Sequence, residues 1–150
     1  MDALHAGSSV AAWSVAFNGP TLHAACSAGD ESKIRHALLA GEEVDSKDNS
    51  GATALLHASR GGHVGAVRVL LEAKAVVDAA DNDAKTALAH ASANGQEGAM
   101  RLLLEAGASV ETKKTFRRGK KPVNYGGSAL MQASAGGHAG AVHLLLAAGA

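Results

Sequence analysis

The chain has 150 residues, enough for one ordinary domain, and its formal net charge is zero. Cys26 is the single cysteine, so an internal disulfide is excluded, and this usage fits an intracellular protein. No apolar run approaches the length of a membrane-spanning helix, and the first 17 residues lack the basic segment and long apolar core of a signal peptide. We therefore expect an intracellular protein, cytoplasmic or nuclear, without membrane insertion.

The first segment, residues 1–17, carries Val10, Trp13 and Phe17 at helical spacing. This segment precedes a series of repeating units. An array of such units needs a cap on its terminal repeat, and the apolar face of a short helix could lie over the first repeat. The spacing predicts an N-terminal capping segment.

A repeating unit follows. The pair Gly62-His63 recurs in phase as Gly29-Asp30 and Gly95-Gln96, each 33 residues away, and as Gly137-His138 after a step of 42. A fixed period of this size is typical of stacked supersecondary units, which build extended binding surfaces. The predicted boundaries are 18–47 for repeat 1, 48–80 for repeat 2, 81–113 for repeat 3, 114–122 for a basic loop insertion and 123–150 for repeat 4.

Each repeat predicts two helices, and repeat 2 illustrates the pattern. Thr53 can cap a short first helix through its hydroxyl, and Gly61-Gly62 ends that helix because glycine tolerates the left-handed conformation. A second helix begins near His63, where residues 64, 67, 70 and 71 form an apolar stripe. Two helices cannot bury that stripe alone, so neighbouring copies must cover it.

The pattern resembles the ankyrin repeat. The opening motif of that family is matched loosely by Gly19–Ala25, and its Thr and Leu stand in Thr53–Leu56 and Thr86–Ala89, while Ser128–Met131 keeps the Leu. The proline and the histidine of the motif are missing from repeats 2 to 4, which suggests lower local stability. The resemblance implies an all-α fold, an ankyrin-repeat solenoid of stacked helix-turn-helix units with projecting hairpin-like turns.

The resemblance also implies where a partner would bind, because turn tips and short first helices line the concave face of ankyrin domains. Fold alone does not name that partner. Carried over by position, the candidate contacts are Lys47, Asn49, Ser50, Ala52 and Arg60 in repeat 2, Asn82, Asp83, Lys85 and Asn94 in repeat 3, and Asn124 and Tyr125 in repeat 4.

The insertion is the most unusual segment. Residues 1–111 hold eight Lys and Arg against 14 acids, whereas residues 112–150 hold six cations and no acid. A flexible basic finger could clamp an acidic protein, bind nucleic acid through phosphates and stacked aromatic rings, act as a nuclear-localisation segment, or be a solvated loop. Its candidate contacts are Lys113, Lys114, Phe116, Arg117, Arg118, Lys120 and Lys121.

Catalytic chemistry is not predicted. Cys26 occupies a small-residue position of the first short helix and is expected to be a buried core thiol. The repeat accounts for His57 and His90, at equivalent positions, and for His63 and His138, so we expect no metal site. No phosphate-binding loop or nucleophile motif is present, and we expect no cofactor and no enzymatic activity.

The sequence therefore predicts a protein–protein interaction module whose partner is another protein, nucleic acid being less favoured. The alternative is a regulatory or targeting segment of a larger enzyme or nucleic-acid-binding protein. The chain ends at Ala150 within the closing signature of repeat 4, so we expect that the natural protein continues or that another chain covers this end.

Overall fold

A computed structural model describes residues 22–110, the backbone of 116–118 and 121–123, and residues 129–149. The predicted N-terminal capping segment, with Val10, Trp13 and Phe17, lies outside these residues. The described residues contain helices α1 (Leu22–Ala28), α2 (Glu31–Leu39), α3 (Ala54–Gly61), α4 (Val64–Glu72), α5 (Ala87–Ala93) and α6 (Glu97–Glu105), strands β1 (Phe116–Arg118) and β2 (Lys121–Val123), and helices α7 (Ala129–Ala135) and α8 (Ala139–Ala147).

The helices form two parallel rows. The first helix of each pair contacts the first helix of the next (α1, α3, α5, α7), and the second helices (α2, α4, α6, α8) do the same. Leu22, Leu55 and Leu88, spaced by the repeat, are buried at 0, 0 and 1 % exposure between the rows. Each repeat supplies one layer of this core and relies on its neighbours to bury it. The prediction of an all-α repeat solenoid is confirmed for the repeats, and the two short strands lie at the insertion. None of the described helices is long and apolar enough to cross a membrane.

Repeat 2 confirms part of the predicted local chemistry. Helix α3 ends at Gly61, and Gly62 follows as its cap with φ +71°, the left-handed conformation that favours glycine. The expected hydroxyl cap from Thr53 is wrong: Thr53 stands at the N-cap, but its Oγ1 has no hydrogen-bond partner among the described residues. The amide that a capping hydroxyl would satisfy, on Leu56, donates instead to the Thr53 carbonyl oxygen at 3.1 Å. In the apolar stripe of α4, Val67 and Leu70 are fully buried, whereas Val64 is 36 % exposed.

Side chains at the start of the second helices tie neighbouring repeats together. His63 Nε2 donates to the Ser27 carbonyl oxygen at 2.9 Å, and His138 Nε2 donates to that of Ala93 at 2.9 Å. The equivalent residue of repeat 3, Gln96, reaches the Arg60 carbonyl oxygen at 3.4 Å. The three contacts satisfy carbonyl groups at the ends of α1, α3 and α5, which a helix leaves without an internal partner.

Candidate protein-binding face

The turn face, as we call it, consists of the turn tips 47–52 and 80–85 together with the first helices α1, α3 and α5. Its two tips are joined directly. The Asn82 amide donates to the Ser50 carbonyl oxygen at 3.0 Å, and Lys47 Nζ donates to the Ala80 carbonyl oxygen at 3.3 Å. Adjacent turns therefore form one continuous surface.

A carboxylate organises the turn of repeat 2. Asp48 Oδ1 accepts from the Ser50 amide at 2.9 Å, the Ser50 hydroxyl at 2.7 Å and the Ala52 amide at 3.0 Å. Its Oδ2 accepts from His57 Nε2, in helix α3, at 2.7 Å. The carboxylate thus closes the turn and fastens it to the first helix.

The turn of repeat 3 is built in the same way. Asp81 Oδ1 accepts from the Asp83 amide at 2.9 Å and the Lys85 amide at 3.0 Å, and Asp81 Oδ2 accepts from His90 Nε2 at 2.7 Å. We call each of these pairs, Asp48–His57 and Asp81–His90, a turn brace. The two braces hold consecutive turns in equivalent positions on the turn face.

The hydrogen bonds within the turn of repeat 2 lower the pKa of Asp48 below its ordinary range. The Ser50 hydroxyl and His57 are the main causes, the backbone amides of Ala52 and Ser50 add to them, and desolvation opposes them. Donors aimed at a carboxylate stabilise its ionised form. Asp48 is therefore a fixed negative charge at neutral pH.

An open cavity of about 390 Å³ lies on the turn face between the C-terminal ends of three first helices. Its lining residues are Ser27, His57, Arg60, Gly61, Asn94 and Gln96. A smaller recess of about 30 Å³ adjoins it towards the turn tips, and Arg60 and His57 line both spaces. Among the described residues, Arg60 is the one Lys or Arg side chain in the lining of the larger cavity.

The predicted contact residues of repeats 2 and 3 occupy different environments. Lys47, Asn49, Ser50, Arg60, Asn82, Asp83 and Asn94 are exposed. Lys85 is half-buried, and Ala52 is only 6 % exposed, because its amide is held inside the turn by Asp48. Ala52 therefore contributes to the wall of the small recess but does not project from the surface.

The insertion has regular backbone where we expected a loop. Strands β1 and β2 pair antiparallel, with Phe116 opposite Val123 and Arg118 opposite Lys121. Phenylalanine and valine favour strands, and only two residues, including Gly119, separate the strands, which is a recognised hairpin signal. The predicted contacts Lys113, Lys114, Lys120, Asn124 and Tyr125 lie outside the described residues.

Cys26 is fully buried, as predicted from its position. Burial, with a smaller effect of the Glu42 carboxylate, raises the pKa of its thiol to about 12. A thiol in this state is a poor nucleophile. Among the described residues, no group of three or more His, Cys, Asp or Glu side chains could hold a metal ion.

A pattern in the sequence could have predicted the turn braces, but it is visible only when two repeats are compared. Aspartate precedes histidine by nine residues at equivalent positions of repeats 2 and 3. The family's motif histidine is replaced by leucine in repeat 2, yet His57, the next residue, bonds the turn. The missing motif histidine therefore does not mean that these turns lack a histidine contact.

The chain resembles proteins built from ankyrin repeats in both sequence and structure. The family described as "Ankyrin repeats (3 copies)" matches residues 22–114. The crystal structure of the human ASB11 ankyrin repeat domain matches with a TM-score of 0.75 and 26 % identity, over 86 % of this chain and 54 % of that one. The chain thus spans about half the length of that domain. No curated protein sequence matches at a significant level.

Proposed function

Because the chain belongs to the ankyrin repeat family, whose members generally mediate protein–protein interaction, we propose that it is a non-catalytic module that binds a partner protein across its turn face. The proposed compartment is the cell interior, cytoplasm or nucleus, where ankyrin repeat proteins commonly act.

The observation that supports this proposal best is the construction of the turn face. Its two described turns are fixed by the turn braces and joined through Asn82 and Ser50. A surface that is already ordered loses little conformational entropy on association. Exposed polar side chains, including Asn49, Arg60 and Asn94, remain available on it for contacts.

The proposed contacts are the residues designated by the resemblance, with the basic insertion as a second contact element. The six cations of residues 113–121 would attract a partner with acidic patches and raise the association rate. Ala52 would act through the shape of the recess, since its side chain does not project.

The experiment is an affinity capture from cell lysate with nuclease-treated eluates and four forms of the whole chain. The turn-face variant carries Asn49→Ala, Arg60→Ala, Asn82→Ala and Asn94→Ala. The finger variant changes Lys113, Lys114, Arg117, Arg118, Lys120 and Lys121 to serine. A matched control carries Arg35→Ala, Arg68→Ala, Glu72→Ala and Arg101→Ala on the second helices, where all four side chains are exposed.

We expect a specific protein that the wild type and the second-helix control capture and the turn-face variant loses. Loss in the second-helix control with retention in the turn-face variant would contradict the proposal. Loss in the finger variant alone would confine binding to the insertion. A signal that disappears only after nuclease treatment would replace the proposal with the alternative of a nucleic-acid-binding or targeting segment.

A further inference from the structure

Arg60 holds a position on the turn face where both neighbouring repeats have small residues. The equivalent residue is Ser27 in repeat 1 and Ala93 in repeat 3. Ser27 and the backbone at Gly61 form part of the cavity lining beside Arg60. Neither neighbouring repeat therefore places a long side chain at this position, and the cavity lies beside Arg60.

Two carboxylates close to the cavity, those of Asp81 and Asp48, already accept hydrogen bonds within the turns. Asp81 lines the adjoining recess with Arg60, but both of its oxygens accept hydrogen bonds within the turn of repeat 3 or from His90. Both oxygens of Asp48 likewise accept hydrogen bonds within the turn of repeat 2 or from His57. Within the described part of the chain, the Arg60 guanidinium forms no ion pair.

Carbonyl groups at the ends of the first helices could also have attracted this cation, but they have other partners. The Ser27, Arg60 and Ala93 carbonyl oxygens accept from His63, Gln96 and His138 respectively. Asn94 Nδ2 also donates to the Arg60 carbonyl oxygen, at 3.3 Å. Asn94 and Ser27 both belong to the cavity lining and make it polar. Among the described residues, the cavity lining thus presents one arginine without an ion-pair partner, surrounded by polar groups.

We infer that this cavity receives the carboxylate of an Asp or Glu side chain from the partner protein. The inference rests on the proposed function, because it names the chemistry of a residue that the partner would bring to the turn face. A guanidinium group binds a carboxylate with two parallel N–H···O bonds, and such charge-assisted pairs are among the stronger polar contacts in interfaces. The small neighbours of Arg60 supply the room for the incoming side chain.

The test uses a library of random peptides displayed on yeast and sorted for binding to the labelled whole chain. Enriched peptides are then synthesised and their affinities measured for wild type, Arg60→Gln, Arg60→Glu and Arg68→Gln. Arg68 is the matched control, because it is an exposed arginine of the same repeat on the second helix. Circular dichroism checks that each variant is folded.

We expect enriched peptides to share an acidic residue at one position. Arg60→Gln should weaken their binding about tenfold or more, the range for loss of a charge-assisted hydrogen bond, and Arg68→Gln should leave it unchanged. Changing the shared acid to lysine should abolish binding to wild type and restore it to Arg60→Glu.

Two results would overturn the inference while leaving the proposed function intact: peptides that bind the turn face without a shared acid, or affinities that Arg60→Gln does not change. Binding of a phosphoserine peptide, when its aspartate and glutamate forms fail, would assign the cavity to a phosphate group instead. Enriched peptides that the turn-face variant binds as well as wild type would contradict the proposed function itself.

Discussion

His57 Nε2 donates to Asp48 Oδ2 across 2.7 Å, which connects the first helix of repeat 2 to the turn that precedes it. The His57 side chain is 15 % exposed and that of Asp48 is 30 % exposed, so the contact is partly shielded from water. A partly desolvated hydrogen bond to a charged group contributes more to stability than a bond at the open surface. This contact should therefore set how rigidly the turn face is held.

The first prediction is a coupling between these two residues. Asp48→Asn and His57→Ala should each lower the free energy of unfolding by about 1 to 2 kcal/mol, because each removes a bond that also holds the turn. The double variant should lose less than the sum of the single losses, with a coupling of about 1 kcal/mol. Urea denaturation followed by circular dichroism measures all four forms. Additive losses would show that the two side chains act independently.

The second prediction concerns pH. The pKa of Asp48 is lower in the folded state than in the unfolded chain, so protonation at acidic pH favours unfolding. Its stabilising contribution should be complete above about pH 4, the ordinary aspartate range, and be lost as pH falls towards the lowered folded value.

Urea denaturation across this acidic range checks the prediction. Wild type should lose more stability there than Asp48→Asn, which has no carboxylate to protonate. Asp83→Asn, which removes the same charge from the next turn tip, controls for the change in net charge. Parallel losses in wild type and Asp48→Asn would contradict the assignment.

The repeat period made the fold predictable from sequence. Residues such as Leu55 and Leu88 mark the same core position in successive layers, and Gly62 marks the end of a first helix. Local caps were less predictable, because Thr53 and Thr86 occupy equivalent positions and only Thr86 accepts a side-chain cap bond, from the Ala89 amide at 3.3 Å. The backbone angles of the two residues are nearly the same, φ −86° and ψ 168° for Thr53 and φ −89° and ψ 171° for Thr86, so the repeat period does not reveal which acceptor is used.

The candidate site was only partly predictable. The resemblance placed Arg60 and Asn94 on the candidate binding face, and both line the larger cavity. Whether Arg60 forms an ion pair depends on where the carboxylates of Asp48 and Asp81 point. That orientation is defined only by the three-dimensional structure. Ala52 shows the opposite case, since its position implied exposure but the turn buries it.

The third prediction is that Lys74→Gly stabilises the protein. Lys74 has φ +66°, and the equivalent residues Gly41 and Gly107 have φ +93° and +87°. A side chain in this left-handed region costs about 1 to 2 kcal/mol, which glycine avoids. Glycine also gives the unfolded chain more conformational entropy, and this offsets part of the gain, so the free energy of unfolding should rise by about 0.5 to 1 kcal/mol. Thermal and urea unfolding measure it. Lys74→Ala is the control, because it removes the charge but keeps the strain, and equal gains in both variants would trace the effect to the charge.

The fourth prediction is that Cys26 is unreactive in the folded protein. Its complete burial and raised pKa of about 12 leave little accessible thiolate. N-ethylmaleimide at neutral pH should modify it only as fast as the protein unfolds, and labelling should become rapid in denaturing urea. Mass spectrometry over time measures the rate. Rapid native labelling would show that helix α1 opens locally without global unfolding.

The fifth prediction separates backbone strain from a side-chain contact at the ends of helices. Gly95 has φ +66°, and a Cβ added there would lie 2.6 Å from His138 Nδ1, whereas Gly107 has φ +87° and nothing within 4 Å of such a Cβ. Gly107→Ala should therefore cost only the left-handed strain, about 1 to 2 kcal/mol. Gly95→Ala should cost about 1 kcal/mol more, because it also displaces the ring that donates to the Ala93 carbonyl oxygen.

A third substitution tests the cause of that excess. In a His138→Ala background the ring is absent, so Gly95→Ala and Gly107→Ala should destabilise the protein equally, as urea denaturation would measure. If the excess persists without the ring, the contact with His138 is not its source. If the two glycine substitutions already cost the same in wild type, the ring moves aside without losing its bond. We expect an excess cost of Gly95→Ala that disappears in the His138→Ala background. That result would show that the close contact of Gly95 with His138 helps to hold repeats 3 and 4 together, because the ring can keep its bond to Ala93 only where residue 95 lacks a side chain.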